Sequence, residues 1–331
     1  MRLENIVALT NARLLNSPYV NSFEEFVFDA SRVKRGDIFV AYDTEAISHA
    51  VSLGAYAVLT DKDVVVEDEE IAWIRVANLD EALVRLLRFR LIEKEVVAYE
   101  TNEVILELAF QVITDAKCLA LGGNFLEIFK VLWGVEPHTT LLFCPALLNR
   151  NIFASPKPFT KQLTHKIEII EKTLFETSFI FNNNYYERQL LSPFFIPYLE
   201  RLLNFYLVQK IDFRLKRFVP INHFEALFVN KNIEIKEFGT SDKVVIFEQN
   251  SELIESEIEF LDSHAKWGSV IYLLPRSISN NIEHKNIYRY DATDEIVPLL
   301  KETHFHFALI IGVGKSILNT TKRQMQLTLD F

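Results

Sequence analysis

Glycine is scarce in this chain. There are nine glycines in 331 residues, where usage near 7% would give roughly twenty-three. Nucleotide-binding α/β sheets need glycine wherever backbone must approach a phosphate, so the shortage argues against that class of site. Cysteine is nearly absent too. Cys118 and Cys144 have no metal-ligand spacing and suggest no disulfide framework. No apolar run approaches the roughly 18–20 residues that cross a bilayer. The N-terminal "MRLENIVALTNARLLNS" carries polar and acidic interruptions where a signal peptide needs an apolar stretch. A cytoplasmic location is the expectation.

What is present describes a globular protein. Hydrophobic residues make up 49% and charged residues 24%, with 27 phenylalanines. The length allows two or three domains with ample core. A net charge of −10 argues against a broad nucleic-acid surface. The basic clusters "RVKR" (32–35) and "RLKR" (214–217) read as a solvated turn or helix face.

Periodicity predicts an α/β chain. In the first ninety residues "FEEFVFD", "DIFVAY", "YAVLT" and "AWIRVAN" read as strands, and "DKDVVVEDEE" as an acidic loop or edge. "EAISHAVSLGA" reads as a helix closed by Gly54, and "LDEALVRLLRFRLIE" as an amphipathic helix. Near Glu95 a second unit begins with "VVAYETNEVILELAFQV" (96–112), a strand running straight into a helix. "KCLALGGNFLEIFKVLWG", the strand "TTLLFC" and the helical "FFIPYLERLLNFYLVQKI" follow. "ALFVNKNIEIKEF" predicts a hairpin turning near Asn230–Asn232, and "GTSDK" (239–243) a hinge. Beyond it, "VVIFEQ", "SVIYLL" and "FALIIGV" alternate with helical stretches, as in a small Rossmann-like domain with a mostly parallel sheet.

A strand feeding a helix is the usual seat of a phosphate-gripping loop. The turn here, "ETNE" (100–103), has no glycine, no lysine and two acids. It poses the functional question of the chain.

Several segments, in order, resemble the Mur ligase family. "DASRVKRGDIFVA" (29–41) is similar to that family's "DSRxVxPGDLFVAL", and "HAVSLGAYAVL" (49–59) continues the likeness. The 96–112 stretch falls where the family has "VxAITGSNGKTTTKE". "FVPINHFEALFV" (218–229) stands at "FxPVxGRLE", "VVIFEQNSELIESEIEFL" (244–261) at "IIDDxYNANPxSMxAAL", and "LIIGVGK" (309–315) at "LVKGSR". Within the family the chain is most similar to the branch that adds D-alanyl-D-alanine to a UDP-muramoyl tripeptide in bacterial peptidoglycan synthesis.

The resemblance implies a three-domain Mur-ligase-like architecture. It consists of a substrate-type domain (1–92), a reduced central ATPase-like domain without the phosphate loop (93–238), and a Rossmann-like domain with a short tail (239–331). It also implies an ATP- and magnesium-dependent ligase, and the departures argue against that activity. The loop's glycines, lysine and threonines are gone. Asn222–Phe224 replace the second motif's Gly-Arg. Of the third motif Glu248, Asn250 (shifted by one) and Ser256 survive as vestiges. Ungapped, Ala30 and Ser31 occupy the family's Ser-Arg pair, with Arg32 one step late. If a UDP-sugar is still read, Ser31 and Arg32 are its candidate contacts; otherwise Arg32 caps the turn.

The expectation is a degenerate, shortened, non-catalytic relative with no catalytic set, no metal site and no tight ATP or magnesium binding. It would act by binding cell-wall enzymes or a UDP-muramoyl precursor, without membrane or direct nucleic-acid contact. One alternative is a divergent ATP-dependent peptide ligase. Another comes from the terminal "QLTLDF", which resembles the bacterial sliding-clamp peptide: Gln326 would bond at a rim while Leu327, Leu329 and Phe331 fill an apolar cleft.

Three further signals have plain readings. "GVGKS" (312–316) ends like a P-loop, but Leu309 stands where the first glycine is required. "HFH" (304–306) is half a metal site or a strand-edge pair. "NNNYYE" (182–187) is a sugar contact or a polar loop.

Overall fold

Short apolar runs flanked by turn residues build the first sheet. The computed structural model describes residues 1–148, 150–159, 164–278 and 286–318. Its contacts separate two compact units, Met1–Leu106 with Ile113–Phe159 and Glu107–Val112 with Thr160–Phe331.

In the first unit β1 (Arg13–Leu14), β2 (Phe26–Val27), β3 (Ile38–Ala41), β4 (Ala57–Thr60) and β5 (Ala72–Arg75) form a sheet ordered β1-β5-β4-β3-β2. Only β1 runs antiparallel to its neighbour. Successive side chains point to opposite faces. Ile38, Val40, Leu59 and Ile74 therefore face one core with α1 (Leu3–Thr10) and α3 (Leu79–Glu93), while Phe39, Val58 and Trp73 face another with α2 (Ile47–Ser52). The predicted helix 79–93 forms with Asn78 as its cap, the Asn78 side chain accepting from the Glu81 amide at 2.9 Å. Gly54 ends the α2 turn at φ +99°, a conformation that suits glycine.

A second, wholly parallel sheet is ordered β7-β8-β6-β9, from β6 (Val97–Glu100), β7 (Cys118–Ala120), β8 (Thr140–Phe143) and β9 (Lys157–Pro158). Its helices are α4 (Glu103–Val112), α5 (Phe125–Trp133) and the short α6 (Pro145–Leu148). Ile128, Phe129 and Leu132 of α5 join Leu141 and Phe143 to the α1–α3 core, so both sheets share one apolar interior.

The second unit opens with an antiparallel meander, β10 (Glu168–Lys172), β11 (Thr177–Phe181) and β12 (Asn184–Gln189). Asn182 and Asn183 take φ +48° and +61° at its tight turn, as a two-residue hairpin of right-handed twist requires. Helix α7 (Ile196–Gln209) follows and ends on a left-handed Lys210.

The last sheet has the order β13-β14-β17-β15-β16, from β13 (Glu225–Val229), β14 (Lys243–Glu248), β15 (Val270–Pro275), β16 (Ile287–Tyr290) and β17 (Phe307–Ile311). It is parallel except for β13, and carries α8 (Ile254–His264) and α9 (Ile296–Glu302), as the Rossmann-like reading expects. The hairpin predicted across 226–238 is only half formed. Its second arm is the single bridge Val229–Ile235, with the Asn230 amide donating to the Glu234 carbonyl and the Lys236 amide to the Phe228 carbonyl, on the edge of β13 away from β14; Ile233 turns into the core at φ +63°.

Candidate functional site

The strand-to-helix turn that would hold a phosphate is two residues long. β6 ends at Glu100 and α4 begins at Glu103, leaving Thr101 and Asn102 between them. Asn102 caps the helix itself: its Oδ1 accepts from the Ile105 amide at 2.9 Å. The Thr101 amide donates to the Phe143 carbonyl at 2.9 Å. The Thr101 and Ile105 amides are thus engaged by the protein, and two carboxylates flank the positive end of the helix. A triphosphate held by loop amides and a lysine does not fit this turn.

The other concentration of chemistry sits where β14 ends. Glu248 is fully buried, and both oxygens are bonded: Oε1 to His223 Nδ1 at 3.0 Å and to the Asn250 amide at 2.7 Å, and Oε2 to the Phe224 amide at 3.0 Å. Glu257, one turn into α8, is buried beside it; no donor reaches its oxygens, and Glu248 is the hydrogen-bond partner of its carboxyl. Two adjacent buried carboxyls cannot both ionise cheaply. Burial, then the Glu248 charge, pushes Glu257 well above the ordinary carboxylate range. Burial alone would raise Glu248 as well, but the bond to His223 and the His223 charge lead the opposing effects, and its pKa lies below the ordinary value. The result is an acid held neutral next to one held charged. His223 also lines a cavity of about 520 Å³ with Arg217, Ser192 and Phe224.

Of the predicted residues, Glu248, Asn250 and Ser256 lie at the end of β14 and on α8, and Ser31 and Arg32 lie elsewhere. The Asn250 side chain accepts from the Glu252 amide at 2.9 Å in the turn before α8, and the Asn250 amide donates to Glu248 at 2.7 Å. Ser256 bonds back to the Leu253 carbonyl at 2.8 Å. Ser31 and Arg32 lie in the first unit, on a 3-10 turn after β2. The Ser31 hydroxyl donates to Asp29 at 2.7 Å, and Arg32 reaches Asp29 at 3.5 Å with 78% of its side chain exposed. Gln326, Leu327, Leu329 and Phe331 lie outside the described residues.

The remaining motifs take their plain roles. Lys315 of "GVGKS" pairs with Glu225 at 2.6 Å. His306 Nδ1 accepts from the Ser269 amide at 3.0 Å, and no group of three or more metal-ligating side chains gathers among the described residues. Cys118 is buried, its thiol pushed up to about 12 by desolvation, far from a nucleophile's range. No helix among the described residues is long and apolar enough to cross a membrane.

Sequence reasoning missed His223 and Glu257. Glu257 left a signal. Ile254, Glu257, Ile258 and Leu261 share the buried stripe of α8, so an acid stood where an apolar residue was due. His223 left none, since only the fold brings it to Glu248.

No protein-family profile matches the chain, and no curated protein is significantly similar in sequence. Solved structures are similar in fold. MurF from Acinetobacter baumannii superposes with a TM-score of 0.54 at 10% identity, covering 98% of each chain. MurF ligase from Thermotoga maritima, solved with ADP, gives 0.53 at 12%, covering 93% of this chain and 98% of its own. An A. baumannii UDP-N-acetylmuramoylalanyl-D-glutamyl-2,6-diaminopimelate–D-alanyl-D-alanyl ligase gives 0.50 at 11%, covering 99% and 98%. The chain has the fold of these ligases.

Proposed function

We propose that this chain uses the Mur ligase fold for binding and not for ATP-driven ligation. The observation that carries the reading is the β6–α4 turn, two residues long, self-capped by Asn102 and flanked by Glu100 and Glu103. The proposed ligand is a UDP-muramoyl precursor or a cell-wall synthesis enzyme, met in the cytoplasm. A three-part organisation (1–92, 93–238, 239–331) belongs to the same reading. Titration calorimetry with magnesium-ATP tests it: no heat of binding is expected at micromolar ligand, and micromolar affinity would sink the proposal.

The divergent-ligase reading draws on the likeness to an ADP-bound ligase over 93% of this chain. Amide formation with ATP consumption by purified protein would establish it. For the precursor, Ser31 and Arg32 are the proposed contacts. Arg32 is tied only to Asp29 at the surface, so it is free to turn outward. Arg32→Ala should weaken UDP-muramoyl peptide binding; equal affinity of variant and wild type removes that assignment. The sliding-clamp reading rests on Gln326, Leu327, Leu329 and Phe331. Failure of the full chain to form a complex with purified clamp ends it.

A further inference from the structure

Ligands of open parallel sheets sit outside the carboxyl ends of the strands, the end of β14 where Glu248 lies. A cavity of about 770 Å³ opens at the other end, lined by Val244 near the start of β14 and Phe307 at the start of β17. The parallel sheet does not make this cavity alone. The 173–176 turn between β10 and β11 and the 238–242 loop close it. Its volume is that of a small-molecule site.

The walls are aromatic: Phe175, Phe228, Phe238, Trp267 and Phe307. Phe228 meets Phe238 at 4.8 Å and Trp267 meets Phe307 at 5.2 Å, ring edge to face. Trp267 is nonetheless 73% exposed and Phe238 52% exposed. Leaving two large rings in water forgoes burial that would stabilise the fold.

The polar groups gather at one seam. Lys172 Nζ lies 3.3 Å from His264 Nε2, while His264 Nδ1 lies 3.0 Å from the Phe260 carbonyl. A carbonyl only accepts, so Nδ1 carries the hydrogen and Nε2 receives one from the ammonium. Lys172 keeps its charge and its other two hydrogens for a ligand. A second cavity, about 450 Å³, shares these same two lining residues, and its charged lining is Lys172 and Arg201 with no carboxylate. Arg201 Nε is buried there without a hydrogen-bond partner. Glu176, Asp242 and Arg188 also line the larger cavity, so the region with cations and no carboxylate is the seam toward Arg201.

We propose that this double cavity binds a small aromatic anion, with rings against Trp267 and Phe238 and an anionic head at the Lys172–His264 seam. The site is independent of the turn at Asn102 and of the binding role proposed above.

The test is titration of the full chain with 8-anilinonaphthalene-1-sulfonate, read by the dye's own emission on direct excitation, with uncharged N-phenyl-1-naphthylamine in parallel. One-to-one saturable binding is expected. Lys172→Ala should weaken the sulfonate by about tenfold, or 1.4 kcal/mol, and leave the uncharged dye unchanged. Trp267→Ala should weaken both dyes. Both side chains are exposed, and circular dichroism checks the fold; should Trp267→Ala melt, Phe238→Ala replaces it. Equal affinity of the two dyes, or wild-type affinity in both variants, overturns the proposal. So does a dimer in sedimentation that Trp267→Ala dissociates, because a second copy would then be what covers the rings.

Discussion

Two strand-to-helix turns of this chain share a local pattern and differ in what surrounds them. β6 ends in Glu100-Thr101-Asn102 and β14 in Glu248-Gln249-Asn250. In both, the asparagine side chain takes an amide of the following turn, Ile105 in one and Glu252 in the other. Glu100 stays exposed, whereas Glu248 is sealed from solvent with three protein donors around it. The difference comes from the 218–224 segment. It lays His223 and the Phe224 amide over β14, while among the described residues no side chain is bonded to the Glu100 carboxylate. One Glu-x-Asn turn is therefore a surface cap and the other the anchor of a buried polar cluster.

Breaking the buried anchor should have the largest effect. His223→Ala leaves Glu248 charged and short of a partner, and the loss of one member of a buried pair costs about 3–5 kcal/mol. Urea denaturation should show it as a lower midpoint. His223→Asn, which can still donate, should recover part of the loss. If His223→Ala matches wild type, the pair is not an anchor.

Glu257 sharpens the contrast through pH. Its folded-state pKa is raised, so the folded form holds a proton that the unfolded chain releases near ordinary glutamate values. Stability from this group is fully present below the unfolded pKa and declines as pH rises toward the folded one. Glu257→Gln should abolish that decline, making the variant more stable at neutral pH by about 1–3 kcal/mol and equal to wild type near pH 4. A wild-type melting temperature that rises from pH 5 to 8, with no gain in the variant, would contradict this. Glu248 works in the opposite sense: its lowered pKa stabilises above ordinary glutamate values and is lost as pH falls through the folded one.

At the exposed turn the effects shrink. Asn102→Ala removes a helix cap and should cost about 1 kcal/mol, visible as a modest drop in melting temperature. Glu100→Gln should change stability by less than about 0.5 kcal/mol. A larger loss for Glu100→Gln than for His223→Ala would invert the comparison.

Much of the fold was legible. Helix 79–93 forms over its predicted range because Asn78 and the apolar stripe from Leu79 to Leu91 are local signals. The buried strands 57–60 and 244–248 also lie within predicted runs. The hairpin at 226–238 turns where predicted with a short second arm, whereas the pairing of β13 with β14 on its other edge joins residues more than a dozen positions apart. Of the candidate site, the glycine-free, lysine-free turn at residues 100–103 could be read, as could Glu248 and Asn250 as polar residues at a strand end. The apposition of His223 and Glu257 could not.

By itself the sequence determined where strands, helices and caps form, and that the phosphate-loop glycines and lysine are missing, because each depends on side chains within a few positions of one another. Tertiary structure decided which carboxylates are buried, which one keeps its proton, and where aromatic rings and cations line a common cavity. Burial and electric potential are set by neighbours in space. Glu100 and Glu248 carry the same carboxyl group; only folding gives them different chemistry.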